Sequence, residues 1–386
     1  MSSPTLAQPP ATVAVSFDAR GSEVRVVEGL ADRATGRPVT AEDPVRIASV
    51  SKLVVALGVM RLVDRGTLDL DADVSDTLGW RLRNPAFPET PITLRLLLSH
   101  RASLLDGEDD YIVPVGERLR DRLESPRLWD PTHAPGSEWF HYANMNFPVV
   151  ASVMEAATGE RFDRLMAREV LEPLSLNACF NWSGCDAATL ARAVVLYRAT
   201  GEVARDDLHG AHPACPGVPA ADGSCDMAGY VPGTNGSIFS PQGGLRISMN
   251  DLARVGRMLL VGGDGFLSPA AFAELTRPHW RSHGTNGLGE EGEADGVFRV
   301  YGPAIHTIGT ARNEAGPGDD LFGDGRTRIG HSGEAYGLRS GLWVDPAAGT
   351  GLAFFTTAVP DDEPAGRSAF TQAEEAVVRR AGAASK

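Results

Sequence analysis

The chain opens on alternation. ATVAVSF (11–17) and SEVRVVEGL (22–30) carry apolar side chains at nearly every second position and are joined by DARG, where Gly21 supplies a turn, so two strands of a meander are predicted. The period then changes. From Ser51 to Arg65, residues Leu53, Val54, Leu57, Met60, Leu62 and Val63 cover a broad helical face, and Gly66 stands where the helix should stop. Further helical patterns run over 92–100, 145–159, 161–174 and 249–260, separated by loops rich in Gly, Pro and Ser, while 284–296 and 313–328 are glycine-rich and read as loops. Residues 329–359 give two strand-like runs turning at DPAAG, and FTQAEEAVVRRA (370–381) closes the chain as a helix. Strands at both ends with helices between predict an α+β fold: an antiparallel sheet flanked by helices, built from both termini, with an inserted, mostly helical domain. The sheet domain is assigned to 1–80 and 270–386 and the insert to 81–269, with the functional site between them.

Composition narrows the partners. At 386 residues and 42% apolar content the chain can bury a large core. A net charge of −14 repels nucleic acid and anionic membranes. No run approaches the ~18 apolar residues that span a bilayer. The start MSSPTLAQPPATVAV lacks a basic and an apolar signal region, so no working export signal is expected, TLAQ being either a remnant beside a processed signal or a flexible lead-in. Cys179, Cys185, Cys215 and Cys225 fall in one segment. They are either two disulfides, in one of three pairings, or four reduced thiols; the first tilts the location toward a periplasmic or secreted one, the second toward the cytoplasm. His209, His212 and Cys215 lie close together but on no regular zinc-ligand turn.

Several motifs fail. GLGEEG (287–292) follows no apolar strand and holds two glutamates that would repel a pyrophosphate. DLDADVSDTLGW (69–80) begins like a calcium loop but has Val74 at the sharp-turn glycine position and Trp80 at the bidentate glutamate position. There is no G-x-S-x-G elbow and no Gly-Lys pair of a P-loop.

One residue stands apart. Of 36 basic residues only Lys52 and Lys386 are lysine, leaving 34 arginines. Lys52 follows Ser49 in the spacing S-x-x-K, which on a helix puts amine and hydroxyl on one face with the hydroxyl at the helix N-terminus. Serine needs a partner to take its proton, and a desolvated lysine can do so where arginine cannot.

Around this pair, PVRIASVSK (44–52) resembles the active-site serine region of class C β-lactamases and their relatives, the penicillin-binding DD-peptidases and the β-lactamase-like carboxylesterases. Tyr142-Ala143-Asn144, the only Y-x-N, and His331-Ser332-Gly333, the only H-x-G, match the family's other two motifs in order and spacing, and the likeness runs over about 12–380. The resemblance implies a β-lactamase/transpeptidase-like fold and a serine hydrolase working through an acyl-enzyme, with no metal or organic cofactor. Ser49 would attack, Lys52 and Tyr142 would move protons, and Asn144 would orient a substrate carbonyl or anchor Lys52. His331, Ser332 and Gly333 would lie on an edge strand beside the serine, Gly333 letting substrate backbone approach, and the N–H groups of Ser49 and Glu334 would hold the oxyanion. Histidine at 331, where class C β-lactamases carry lysine, weakens the β-lactamase branch, and the Glu334 carboxylate disfavours anionic acyl donors. Trp139, Phe140, Phe147 and Tyr336 either line an apolar cleft or belong to the core. The expected substrate is a small ester or amide. A D-Ala-D-Ala carboxypeptidase, a D-amino-acid amidase, a class C-like β-lactamase, an acyltransferase or a non-catalytic penicillin-binding protein are the alternatives.

Overall fold

The computed structural model describes residues 9–289, 296–310 and 318–383. The first two predicted strands form β1 (Thr12–Asp18) and β2 (Ser22–Glu28). The last third supplies β3 (Trp280–Arg281), β4 (Val300–Tyr301), β5 (His306–Ile308), β6 (Arg328–Ala335), β7 (Leu338–Asp345) and β8 (Thr350–Thr356). They join in one eight-stranded sheet of order β3-β4-β5-β6-β7-β8-β1-β2, antiparallel throughout. Its closure depends on β1 pairing with β8, from Thr12 opposite Thr356 to Asp18 opposite Thr350.

Both faces of the sheet are covered, so β1 is buried on both sides. Val13, Val15 and Phe17 point into the large core, while Ala14 joins a second cluster with Trp343, Phe354, Val377 and Val378, under the C-terminal helix. The strand period of two divides one segment between two cores.

The helices are α1 (Val50–Asp64), α2 (Asn146–Thr158), α3 (Met249–Leu260) and α4 (Gln372–Ala383), with shorter turns between. α1 is buried on every side from Val50 to Met60, as expected of a helix running through the middle of the molecule rather than along its surface. A Cβ at Gly58 would come within 2.8 Å of Met166 Sδ, so the glycine permits this close crossing.

Two expectations change. The first predicted run after residue 329 is two strands, because the chain reverses at Tyr336 and Gly337, which take φ 56° and 74° between the paired residues Ala335 and Leu338. A two-residue hairpin of this kind needs positive φ at both places. A tyrosine carries no turn signal, which is why the reversal was missed. α3, inside the 81–269 segment, packs on the sheet: a Cβ at Gly256 would meet the Phe17 ring at 2.2 Å, and Arg257 donates to Asp18 O at 3.2 Å. One hydrophobic cluster also runs through both parts, joining Val13, Leu53, Phe147 and Leu252. Residues 206–244 hold no helix or strand. The predicted loops at 284–296 and 313–328 lie partly outside the described residues, and Gly287–Leu288 is a short strand beside Phe140–His141.

The cysteines pair with their sequence neighbours, Cys179 with Cys185 and Cys215 with Cys225. The second disulfide closes part of the irregular 206–244 segment.

Candidate active site

Val45–Arg46 pairs with Leu245–Ile247, and the chain then turns through Ala48, at φ 45°, into α1. Ser49 is the residue at the helix start. One turn on, Lys52 is wholly buried, and its Nζ donates to Ser49 Oγ at 2.8 Å, Asn144 Oδ1 at 2.8 Å and the Gln242 carbonyl at 3.1 Å. An ammonium has three protons, so these acceptors suit the cation that forms when the amine takes the serine's proton.

Asn144 is itself held. Its Nδ2 donates to Asp106 Oδ2 at 3.0 Å, and the N–H groups of Asn144 and Met145 donate to the same carboxylate at 2.9 and 2.8 Å. With Nδ2 turned to Asp106, Oδ1 is turned to Lys52, so the contacts favour an anchor for the amine. Nothing in the acidic stretch 106–110 singles out Asp106 in sequence.

Tyr142 is buried, stacked between His100 (centroids 4.3 Å apart) and Phe298 (4.5 Å), with Lys52 Nζ 4.8 Å from its ring centroid. Its backbone N–H donates to Leu288 O at 3.2 Å, so the strand Gly287–Leu288 fixes it. His100, unremarked in sequence, accepts from Ala143 N at 3.1 Å. Burial, then the charge of Lys52, holds its pKa well below the usual value, so it stays neutral beside the amine.

β6 runs past the serine. Beyond Gly330 it has no β5 partner, leaving an edge along the H-x-G motif. His331 is fully buried and does not face outward. Its Nδ1 bonds to Ser332 O at 2.5 Å and its Nε2 to Tyr301 Oη at 2.8 Å, and burial followed by Lys52 pushes its pKa well below 6.5. His331 is therefore a neutral ring locked in an aromatic cluster. Gly333 is also corrected. A Cβ there would lie 2.4 Å from Ile47 O and 3.1 Å from Ser49 N, so the missing side chain lets the strand approach the serine rather than admitting substrate. Ser332 is half-buried on the edge. Glu334 pairs with Arg339 directly across on β7, so its charge is not the lone anion expected.

A cleft of about 520 Å³ opens over Ser49, lined by Asn144, Trp182, Ser240, Glu334 and Tyr336 among others. Of the four candidate aromatic wall residues only Tyr336 lines it. Phe140 and Phe147 are core, and Trp139 stacks on His133 at 3.9 Å. The wall instead carries Arg46, Arg198, Arg205 and Arg246, which sequence reading missed because the arginines are scattered over two hundred positions. Among the described residues no cluster of three or more His, Cys, Asp or Glu could hold a metal ion.

The chain belongs to the Beta-lactamase family, whose model matches residues 9–376. Its fold is the β-lactamase/transpeptidase-like one. The structure of a class C beta lactamase from Rhodobacter sphaeroides superposes with a TM-score of 0.67 at 17% identity, covering 97% of this chain and 93% of that one. A D-amino acid amidase from Ochrobactrum anthropi SV3 gives 0.63 at 18% identity, covering 97% and 94%. Among curated proteins, Esterase EstB of Burkholderia gladioli is 36% identical over 186 residues, 43% of this chain and 46% of that protein. The D-alanyl-D-alanine-carboxypeptidase/endopeptidase AmpH of Escherichia coli K12 is 29% identical over 139 residues, 34% and 35% respectively. The chain thus spans less than half the length of these curated relatives. No helix among the described residues is long and apolar enough to cross a membrane.

Proposed function

We propose that this protein is a serine hydrolase that cleaves small esters or amides through an acyl-enzyme. The observation that carries the reading is the Lys52 amine, buried without exposure and 2.8 Å from a serine oxygen that opens on a cleft. Ser49 Oγ attacks the substrate carbonyl carbon as its proton moves to the unprotonated form of the Lys52 amine, from which Tyr142 relays a proton to the leaving group. The tetrahedral oxyanion is held by the N–H groups of Ser49 and Glu334, on the helix start and the open strand edge that Gly333 brings together. The leaving group departs with the relayed proton, and water then attacks the acyl carbonyl and releases the acid. Among relatives, the name of the esterase favours esters, and those of the carboxypeptidase and the amidase keep amides in view. The neutral His331 leaves the strand without the fixed cation that class C β-lactamases carry at that place, which disfavours β-lactams in particular. The sheet part (1–80 and 270–386) and the insert (81–269) would then form the two walls of the cleft, in an oxidising compartment suited to two disulfides.

The test has two arms. A fluorophosphonate should label wild type at Ser49 and fail to label Ser49→Ala; equal labelling of both would end the serine reading and leave a non-catalytic binding protein. kcat/KM should be larger for p-nitrophenyl butyrate than for nitrocefin or a D-Ala-D-Ala peptide. The reverse order would move the protein to the β-lactamase or DD-peptidase branch.

A further inference from the structure

We propose that Arg46, Arg205 and Tyr336 form a carboxylate-binding subsite in the Ser49 cleft, so that the favoured substrate carries a free carboxylate. The catalytic consequence rests on the hydrolase reading above; the binding itself does not.

Tyr336 sits at the first place of the β6–β7 turn at φ 56°, a backbone conformation that bulky side chains seldom adopt. Arginines surround its ring. The guanidinium carbons of Arg205, Arg46 and Arg198 lie 4.8, 5.3 and 5.8 Å from the ring centroid. A small hairpin, Leu196–Tyr197 with Val203–Arg205, presents two of them. The turn packs on that hairpin so closely that a Cβ at Gly337 would be 2.8 Å from Tyr197 O.

Direct ion pairs engage only some of these arginines. Arg246 is paired with Asp206 at 2.8 Å, Arg198 with Asp361 at 3.1 Å, and Glu334 with Arg339. Arg46 and Arg205 make no ion pair among the described residues. Arg46 donates to Ser240 Oγ at 3.2 Å and keeps a buried Nε with no acceptor. Arg205 donates to Tyr336 Oη at 3.2 Å, which leaves the phenol proton for another acceptor. Burial, then repulsion from Arg246, pushes Arg46 down to about 10, a penalty that an entering anion relieves. Asp109 and Asp207 also line the cleft. Two guanidiniums and a phenol offer several N–H and O–H donors to one planar carboxylate. A carboxylate on the acyl group and one on the leaving group would both fit this chemistry.

Binding is measured on Ser49→Ala by calorimetry with monomethyl glutarate at low salt. Saturable binding should appear, and adding Arg205→Gln should weaken it by about tenfold, the loss of one charge-assisted contact. Arg205 is exposed, so the replacement leaves the core intact. Turnover is then compared as two ratios of kcat/KM: p-nitrophenyl hemiglutarate over p-nitrophenyl butyrate for the acyl side, and 4-acetoxybenzoate over phenyl acetate for the leaving-group side. One ratio should favour the anion in wild type and fall about tenfold in Arg205→Gln, and which one does so names the side. Absent binding of monomethyl glutarate, or ratios that Arg205→Gln does not move, would overturn the subsite. Intact binding with no ester turnover at all would instead overturn the hydrolase reading.

Discussion

At the scale of the residue, the molecule is organised around a buried lysine. Removing an ammonium from water is costly unless its protons are matched, and the three acceptors on Lys52 do that while keeping the amine against Ser49. Arginine is bulkier, has five donors and does not give up its proton, which accounts for a lysine here in a chain that otherwise uses arginine. Lys52→Arg should therefore lower the rate of acylation by about two to four orders of magnitude, the range for a lost general base. Tyr142→Phe, which deletes one hydroxyl from a stacked ring, should slow acylation and deacylation with a small change in melting temperature. The measurement is single-turnover ester hydrolysis together with a thermal melt; wild-type acylation in Lys52→Arg would remove the amine from the mechanism. The S-x-x-K spacing made this pair legible in sequence. Asp106 and His100, which position its neighbours, carry no spacing rule and emerged only with the fold.

At the scale of the element, the site depends on how near β6 comes to the start of α1. Backbone fills the place of a Gly333 side chain, Ile47 O at 2.4 Å and Ser49 N at 3.1 Å, and neither can move without shifting the helix that carries the nucleophile. Gly333→Ala should cost about 1–3 kcal/mol of stability, as overpacking does, and should reduce ester turnover far more than that loss of folded protein explains. Chemical denaturation and activity per folded molecule separate the two effects. Normal turnover in the alanine variant would show that the strand can retreat without consequence for the serine. The H-x-G motif marked the position in sequence, but a motif does not say which way a glycine faces. The alternation of β6 turns His331 and Gly333 to the protein.

At the scale of the whole molecule, the irregular segment walling the cleft is pinned to α2 by a buried acid. Glu155 accepts from Gly233 N at 2.8 Å and Phe162 N at 2.7 Å, and from Tyr230 Oη. Burial raises its pKa from 4.5 to about 7, outweighing the bonds from Tyr230, Gly233 and Phe162 that lower it. The folded state thus holds this proton more tightly than the unfolded chain. Its contribution to stability is full below about 4.5 and is lost as pH rises through about 7. Melting temperature should accordingly fall between pH 5 and 8, and Glu155→Gln, which has no proton to lose, should flatten that fall. An unchanged slope in the variant would assign the pH dependence elsewhere.

Local pattern and local chemistry sufficed for much of this protein. The period of two in 11–30, the helical face of 51–65 and the placement of strands at both ends predicted the α+β sheet, because alternation and amphipathicity are set by neighbours in sequence. The scarcity of lysine and the S-x-x-K spacing singled out Ser49 and Lys52, and the resemblance to the family's Y-x-N motif added Tyr142 as a candidate. Tertiary structure alone decided what depends on distant partners: the burial that keeps His331 neutral, the Arg339 that pairs with Glu334, the inward face of Gly333 and the packing of α3 on the sheet. It also gathered Arg46, Arg205 and Tyr336 from three remote segments into one wall. Charge and solvation are properties of what surrounds a side chain in space, so an arginine whose acid partner is absent looks in sequence the same as one that is paired.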